Sequence, residues 1–375
     1  MQKSILTQRL DKKGTKLTYC IGWKTTNYAC LIADSAITGP AKPTHDFGTF
    51  GEAQQLFESG PSKGMYIEEK AVKIVHLSDK CAVGYAGYAS TAKKIIKYLI
   101  DNDHLLEDIP NALKHVNMFL GPFTKNTSLI FAAHYDNEPV LLTWNTLTDH
   151  IQSDANFYEI GSLKSIEKTI APDFLACLAS NKVPEDECLE IVMSMVQSYG
   201  VHELLCQQNI GGAICGTKVS SESVKWNDPI DYVLYEPTFS SPANLINVFS
   251  LTEGILIYTS LRGKDSIKFI KGEFQSITSA QIKQLHQDCN TLASSGKQKY
   301  TAFINTIKKE LTVATYYEGI TLPFQMVFHN DGSTFDLNLT PLFKEVLKGK
   351  YTKSNTNGFA YFGGLEQYKR LQQIK

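Results

Sequence analysis

The order in which strand and helix patterns follow one another restricts the fold of this chain more than any other sequence feature. The patterns predict a hairpin over 17–34, strands at 71–77 and 81–85, helices at about 90–100 and 111–119, strands at 128–134, 140–145 and 157–160, helices at about 164–179 and 184–199, and strands at 213–219 and 232–235. Strands and helices thus come in groups and do not alternate one by one, which disfavours a parallel doubly wound sheet. We expect an α+β fold, a four-layer αββα sandwich over residues 18–236.

Two further segments depart from this pattern. Residues 39–68 collect Gly, Pro, Ser and Thr around a short helical stretch and are predicted to be a loop-rich insertion. Beyond Pro237 the patterns predict a hairpin at 246–258, a strand at 266–270, a long helix at about 280–311 and strands at 322–329. We expect residues 237–375 to form an appended α+β unit.

Charge and composition argue against several classes of function. The 37 Lys and Arg residues balance 38 Asp and Glu residues, so the net charge of -1 provides no field that would attract nucleic acid or an acidic membrane. No stretch reaches the roughly 20 apolar residues of a membrane-spanning helix, and no signal peptide is evident at the N-terminus. We expect a cytoplasmic protein with no membrane or nucleic-acid partner.

The cysteines and histidines give no sign of a metal site. The eight cysteines contain no Cys-x-x-Cys pair, and the nine histidines show no zinc-ligand spacing. The sequence therefore predicts reduced thiols, no metal and no cofactor.

Four short motifs occur in a fixed order in the first quarter of the chain. TYCIG begins at Thr18, LIADSAIT contains Asp34, VKIVHL contains Lys73, and VGYAG ends at Gly87. In this order they resemble the proteasome β-subunit and HslV family of N-terminal-nucleophile hydrolases, and TYCIG is especially similar to the bacterial Anbu branch. Asp34 follows Thr18 by 16 positions, the interval that this family keeps between its nucleophile and a buried aspartate. The resemblance covers about residues 18–236 and implies the αββα fold.

The resemblance implies a threonine-type hydrolase. A threonine hydroxyl is a poor nucleophile at neutral pH, but a free α-amine with a pKa of about 8 can accept its proton from within the same residue. The family pattern makes Thr18 this nucleophile, with Lys73 and Asp34 activating it and the Gly87 N–H stabilising the oxyanion. Ser162, which follows Gly161, would support the amino group. Residues 1–17 would then be a propeptide that is removed.

The same resemblance implies how a substrate would bind. The backbone of Thr38 would pair with an extended peptide as an added strand, and a specificity pocket would be lined by Ile37, Val75, Tyr85 and Ala89. The expected partners are a peptide or unfolded polypeptide substrate and further copies of the chain, assembled as a ring or a helical stack.

Three residues depart from the family pattern and keep other interpretations open. Leu17 stands before Thr18 where processed members usually have glycine, and Gly14/Thr15 offers an alternative junction out of register with Asp34. Gln207 and Ile210 replace an aspartate and a serine that support the amino group. The alternatives are a non-catalytic proteasome-like subunit with a blocked N-terminus and a hydrolase of small amides.

Overall fold

The structure, a computed structural model, is a mixed α+β fold dominated by antiparallel sheets, with few helices among the residues it describes. It describes residues 19–39, 66–69, 71–161, 185–202, 211–235, 244–251, 255–260, 267–271, 278, 280, 283–284, 300–305, 310–315, 324–329 and 335–336. The predicted helix at 164–179 lies outside these residues.

The elements follow in chain order. The strands of the first part are β1 Tyr19–Lys24, β2 Ala29–Asp34, β3 Ala36–Gly39, β4 Tyr66–Glu69, β5 Ile74–Ser78, β6 Cys81–Gly87, β7 Thr127–Tyr135, β8 Glu138–Asn145, β9 His150–Gln152, β10 Phe157–Gly161, β11 Ile214–Val219, β12 Val224–Trp226 and β13 Ile230–Tyr235. The later strands are β14 Asn244–Leu251, β15 Ile255–Ser260, β16 Ile267–Lys271, β17 Tyr300–Asn305, β18 Glu310–Thr315, β19 Phe324–His329 and β20 Phe335–Asp336. The helices are α1 Ala89–Asp101, α2 Ile109–Leu120 and α3 Cys188–His202.

Two five-stranded antiparallel sheets pack against each other. Sheet I has the order β10-β1-β2-β11-β12 and sheet II the order β5-β6-β7-β8-β9. β1 and β2 contact β6 and β7 across the interface. Gly22 in β1 allows the close approach, because a Cβ there would lie 2.6 Å from the Cγ2 of Ile130 in β7. The predicted hairpin is confirmed over its described residues 19–34, and the predicted strands at 71–77, 81–85, 128–134, 140–145, 157–160 and 213–219 are confirmed. The short strands β9 and β12 were not predicted.

Helices α1 and α2 cover sheet II. Their apolar faces join one hydrophobic cluster with Val83, Leu129, Phe131 and Trp144 of the sheet. Both helices were predicted from their apolar periodicity and are confirmed. α1 begins at Ala89, after an extended Tyr88 that provides no side-chain hydrogen bond to cap it.

Helix α3 is apolar on nearly all sides because it is enclosed by two sheets. Residues 187–194 are all buried, a pattern typical of a helix with no solvent face. It contacts β2 and β11 of sheet I and also β17 and β18, which belong to the eight-stranded sheet III. Gly216 in β11 permits this packing, since a Cβ there would lie 2.7 Å from the Sδ of Met193.

Sheet III changes the expected layout of the C-terminal part. Its order is β16-β15-β14-β13-β17-β18-β19-β20, antiparallel except for the parallel pair β13–β17. β13 was expected to close the sandwich, but it pairs with β14 and β17, so sheet III extends across the predicted boundary at 236–237. The predicted strands at 246–258, 266–270 and 322–329 are confirmed by β14, β15, β16 and β19.

The predicted long helix at 280–311 is wrong over its second half. Residues 280, 283 and 284 are helical, but β17 and β18 occupy 300–305 and 310–315. All six residues of β17 are buried, as in a strand covered on both faces, where an apolar run no longer distinguishes strand from helix.

Glu190 of α3 makes the stability of the fold depend on pH. The pKa of Glu190 is raised from 4.5 to about 7. Burial is the main cause and the charge of Asp228 contributes, while the Asp228 N–H and Lys218 partly oppose the rise. Between the unfolded and the folded pKa, the native state therefore keeps a proton that the unfolded chain has released. We expect the free energy of unfolding to fall by up to about 3 kcal/mol as the pH rises from the unfolded to the folded pKa, with no further change above it.

Glu190→Gln should remove this dependence. Urea unfolding at several pH values measures the free energy of unfolding. Above the folded pKa we expect this free energy to be larger for the variant than for the wild type, and we expect the difference to disappear toward acid pH. Glu138→Gln, at an exposed position, is the control and should follow the wild-type curve. A Glu190→Gln curve parallel to that of the wild type would contradict the assignment.

Among the described residues, none of the helices combines the length and the apolarity that a membrane crossing requires.

Candidate active site

A buried carboxylate at the end of β2 is the centre of the candidate site. Asp34 is 0% exposed. Its Oδ1 accepts hydrogen bonds from the Tyr19 N–H at 3.0 Å and the Lys73 ammonium at 2.6 Å, and its Oδ2 accepts one from the Gly211 N–H at 3.3 Å. Burial raises the pKa of Asp34, and Lys73 together with the two backbone donors offsets part of that rise. A carboxylate held from three directions can orient an ammonium with little freedom.

Lys73 is carried to Asp34 by the segment that precedes β5. The Ala71 N–H donates to the Ser35 carbonyl at 3.1 Å, and the Tyr85 N–H donates to the Lys73 carbonyl at 3.1 Å. The side chain is 1% exposed, and its Nζ also donates to the Ala36 carbonyl at 2.5 Å. The spacing of the motifs placed these two residues in one site, and the structure joins them as a buried ion pair.

Thr18 and Ser162 lie outside the described residues, but their chain neighbours are paired. Tyr19 lies opposite Gly161 in the register of β1 and β10. The Tyr19 nitrogen, which binds Asp34, forms the peptide bond that follows Thr18 in the sequence. The described residue next to Thr18 is therefore bound to Asp34.

Gly87 ends β6 in a conformation that glycine alone adopts readily. Its φ is +100°, and a Cβ there would lie 2.5 Å from the carbonyl oxygen of Asn126. A side chain at this position would therefore have to displace backbone as well as accept an unfavourable φ.

Three of the four predicted pocket residues pack into one hydrophobic cluster. Tyr85 is buried, and Val75 and Ala89 are partly buried against the same cluster, which includes α1. Ile37 is half-buried on β3 and is not a member.

The backbone of Thr38 already has one strand partner. Thr38 pairs with Ile67 of β4 in a two-stranded sheet, so one edge of β3 is occupied. An added peptide strand would have to use the opposite edge, which pairs with no other described strand.

Two cysteines close to the site are unsuited to act as nucleophiles. Cys20 and Cys215 both lie opposite Ala33, on the strands that flank β2, and both are fully buried. Burial raises the pKa of both thiols, that of Cys215 to about 12, and the charge of Asp34 adds to each rise. Because the thiolate is the reactive form, these residues stay inert at neutral pH.

One contributor to the site was missed at the level of sequence. Gln197 of α3 is buried and binds the backbone on both sides of Ala213, two residues after the Gly211 that contacts Asp34. Its only sequence signal is a polar residue within a helical run that is mostly apolar. Leu17, Gln207 and Ile210, which depart from the family pattern, lie outside the described residues.

The described residues contain no group of three or more His, Cys, Asp or Glu side chains able to hold a metal ion. In comparisons with known proteins, the sequence matches no family model and has no significant match among curated proteins.

Proposed function

We propose that the chain is a threonine-type amide or peptide hydrolase whose nucleophile is Thr18, exposed by removal of residues 1–17. The observation that carries this proposal is the buried Lys73 and Asp34 pair, whose carboxylate also binds the nitrogen of the residue next to Thr18. A paired lysine and aspartate with no solvent access is costly to bury, and its hydrogen bond to the residue that follows the proposed nucleophile supports a chemical role.

The packing supports the fold that this proposal requires. Helices α1 and α2 cover sheet II, sheet II packs on sheet I, and α3 packs on sheet I. This sequence of contacts fits a four-layer αββα sandwich of the N-terminal-nucleophile type, with sheet III as an addition that covers the outer side of α3. We propose the proteasome β-subunit and HslV family as its relatives, because the ordered motifs fall on β1, β2, β5 and β6.

Each residue of the proposed site has one role in the reaction. The Thr18 α-amine takes the proton of the hydroxyl, and the oxygen attacks the amide carbonyl carbon. The Gly87 N–H stabilises the oxyanion of the tetrahedral intermediate, while the Lys73 ammonium, oriented by Asp34, favours negative charge on the nucleophile. The proton then passes to the leaving amine as the C–N bond breaks. Water hydrolyses the resulting threonine ester and regenerates the hydroxyl.

The proposed substrate is an extended peptide or unfolded polypeptide that adds to the free edge of β3. Backbone pairing at Thr38 would supply affinity, and the Tyr85, Val75 and Ala89 cluster would contact one substrate side chain. We further propose that copies of the chain assemble into a ring or stack, as the family resemblance implies.

A non-catalytic proteasome-like subunit is the second candidate. It is favoured by Leu17, which replaces the glycine usual before the cut, and by Gln207 and Ile210 in place of an acidic residue and a hydroxyl. In that case the Asp34 and Lys73 pair would serve only to fix β1 against β2.

Intact-mass spectrometry of the purified full chain separates the two candidates. We expect a species that begins at Thr18, and we expect that species to gain the mass of one epoxyketone that reacts with N-terminal threonine. A full-length chain that stays unlabelled would contradict the hydrolase and support the non-catalytic subunit. Libraries of peptides and of small amides would then distinguish a peptidase from an amidase.

A further inference from the structure

The turn from Gly211 to Ile214 is held by one side chain of α3. The Gln197 Nε2 donates to the Gly212 carbonyl at 3.1 Å, and its Oε1 accepts from the Ile214 N–H at 2.9 Å. Gln197 is 2% exposed, so its amide NH₂ and its amide oxygen form hydrogen bonds with the backbone where they would otherwise bind water. A buried amide that bonds both sides of one residue fixes the local backbone in the way that a neighbouring strand would.

This turn supplies one of the three donors to Asp34. The Gly211 N–H reaches Oδ2, whereas Tyr19 and Lys73 both bind Oδ1. Gly212 has a φ of +77°, which lets the chain reverse between that donor and β11, where Ile214 lies opposite Asp34. Gly211 is therefore the described donor that holds the second carboxylate oxygen.

We propose that Gln197 is a positioning residue that holds the Gly211 N–H on Asp34 and so fixes the orientation of the Lys73 ammonium. This inference rests on the proposed hydrolase function. Without Gln197 the turn loses both hydrogen bonds to α3, and Oδ2 of Asp34 loses the Gly211 donor. The carboxylate can then rotate about its Cβ–Cγ bond and no longer fixes the direction of the Lys73 ammonium.

The packing of α3 on both sides keeps Gln197 in a fixed position. The helix is packed between sheet I and strands β17 and β18, and its residues share one hydrophobic cluster with Tyr300, Ala302 and Leu311. The C-terminal sheet thus holds the helix from which Gln197 reaches the turn. Sheet III would support the site without contributing a residue to it.

Gln197→Met tests the proposal, since methionine has a similar length and lacks both hydrogen bonds. We expect kcat for a peptide amide to fall roughly 10- to 100-fold while KM changes less than about twofold, because the loss concerns activation of the nucleophile and not substrate contacts. Amide hydrogen exchange of the full chain should show Gly211 losing its protection.

Asn227→Leu is the matched control. Asn227 is 3% exposed, accepts from the Gly216 N–H at 3.0 Å and donates to the Asp228 carbonyl at 2.9 Å. It is thus a second buried amide that binds β11, at Gly216, which lies opposite Ile32 and not opposite Asp34. This variant should lose stability comparably but keep kcat and the Gly211 protection.

The two readouts separate the failure of this inference from failure of the proposed function. Protected Gly211 in Gln197→Met, or an equal loss of kcat in Asn227→Leu, would overturn the positioning role. If the wild type shows no threonine-dependent hydrolysis, the proposed function fails, and Gly211 exchange still decides whether Gln197 holds the donor on Asp34.

Discussion

Replacing Lys73 with methionine is expected to abolish hydrolysis and to destabilise the protein by about 3–5 kcal/mol. Methionine leaves the Asp34 carboxylate buried with two backbone donors and no counter-charge, which is the costly way to break a buried ion pair. Without Lys73 the pKa of Asp34 rises further, because the ammonium is the largest influence that lowers it. Hydrolysis should fall by at least about 10²-fold, since no other described cation lies at Asp34 to favour the ionised nucleophile.

A double variant separates the structural and chemical effects of this change. Lys73→Met with Asp34→Asn removes both charges and should recover part of the lost stability, because no uncompensated carboxylate remains. Hydrolysis should stay at the level of the single variant. Urea unfolding and peptide hydrolysis of the two single variants and the double variant complete the cycle. Strictly additive stability losses, or restored hydrolysis, would contradict the assigned pair.

The predictions from sequence succeeded for short β-rich runs and for helices with one buried face. β1 and β2 are buried along almost their whole length and were predicted as β-rich runs. α1 and α2 each place apolar residues on one face, so the period of the pattern determines the type of element. The same reasoning failed at 300–305, where every residue of β17 is buried and the period carries no information. It also failed for β13, since the residues of a strand do not specify which of two sheets it will join.

The candidate site was predictable only for those residues that belong to sequence motifs. Asp34 and Lys73 belong to motifs whose order and spacing are visible along the chain. Gln197 belongs to no motif, and its importance comes from α3 lying against the start of β11, a contact between residues 197 and 212–214 that no local pattern encodes. Likewise, the pairing of β3 with β4 decides which edge could receive a peptide, and the loop-rich composition of 39–68 gave no sign of it.

Replacing Thr18 with alanine should stop both removal of residues 1–17 and hydrolysis, lowering the rate by at least about 10³-fold. Alanine removes the oxygen that attacks the peptide bond during self-cleavage and the substrate bond during turnover. Thr18→Ser keeps a hydroxyl at the same position and should keep both reactions at reduced rates. Intact mass and peptide hydrolysis measure the two reactions on the same preparations.

Thr15→Ala decides between the two possible junctions. Gly14/Thr15 resembles the usual cleavage junction, but a nucleophile at residue 15 would be four residues from Tyr19, the residue whose N–H binds Asp34, where Thr18 is its direct neighbour. The reacting oxygen must lie within hydrogen-bonding reach of its activating groups, and of the two threonines only Thr18 is bonded directly to the residue that binds Asp34. Thr15→Ala should therefore process and hydrolyse as the wild type does. Loss of activity in Thr15→Ala together with full activity in Thr18→Ala would move the nucleophile to residue 15 and remove the chemical role assigned to the Asp34 and Lys73 pair.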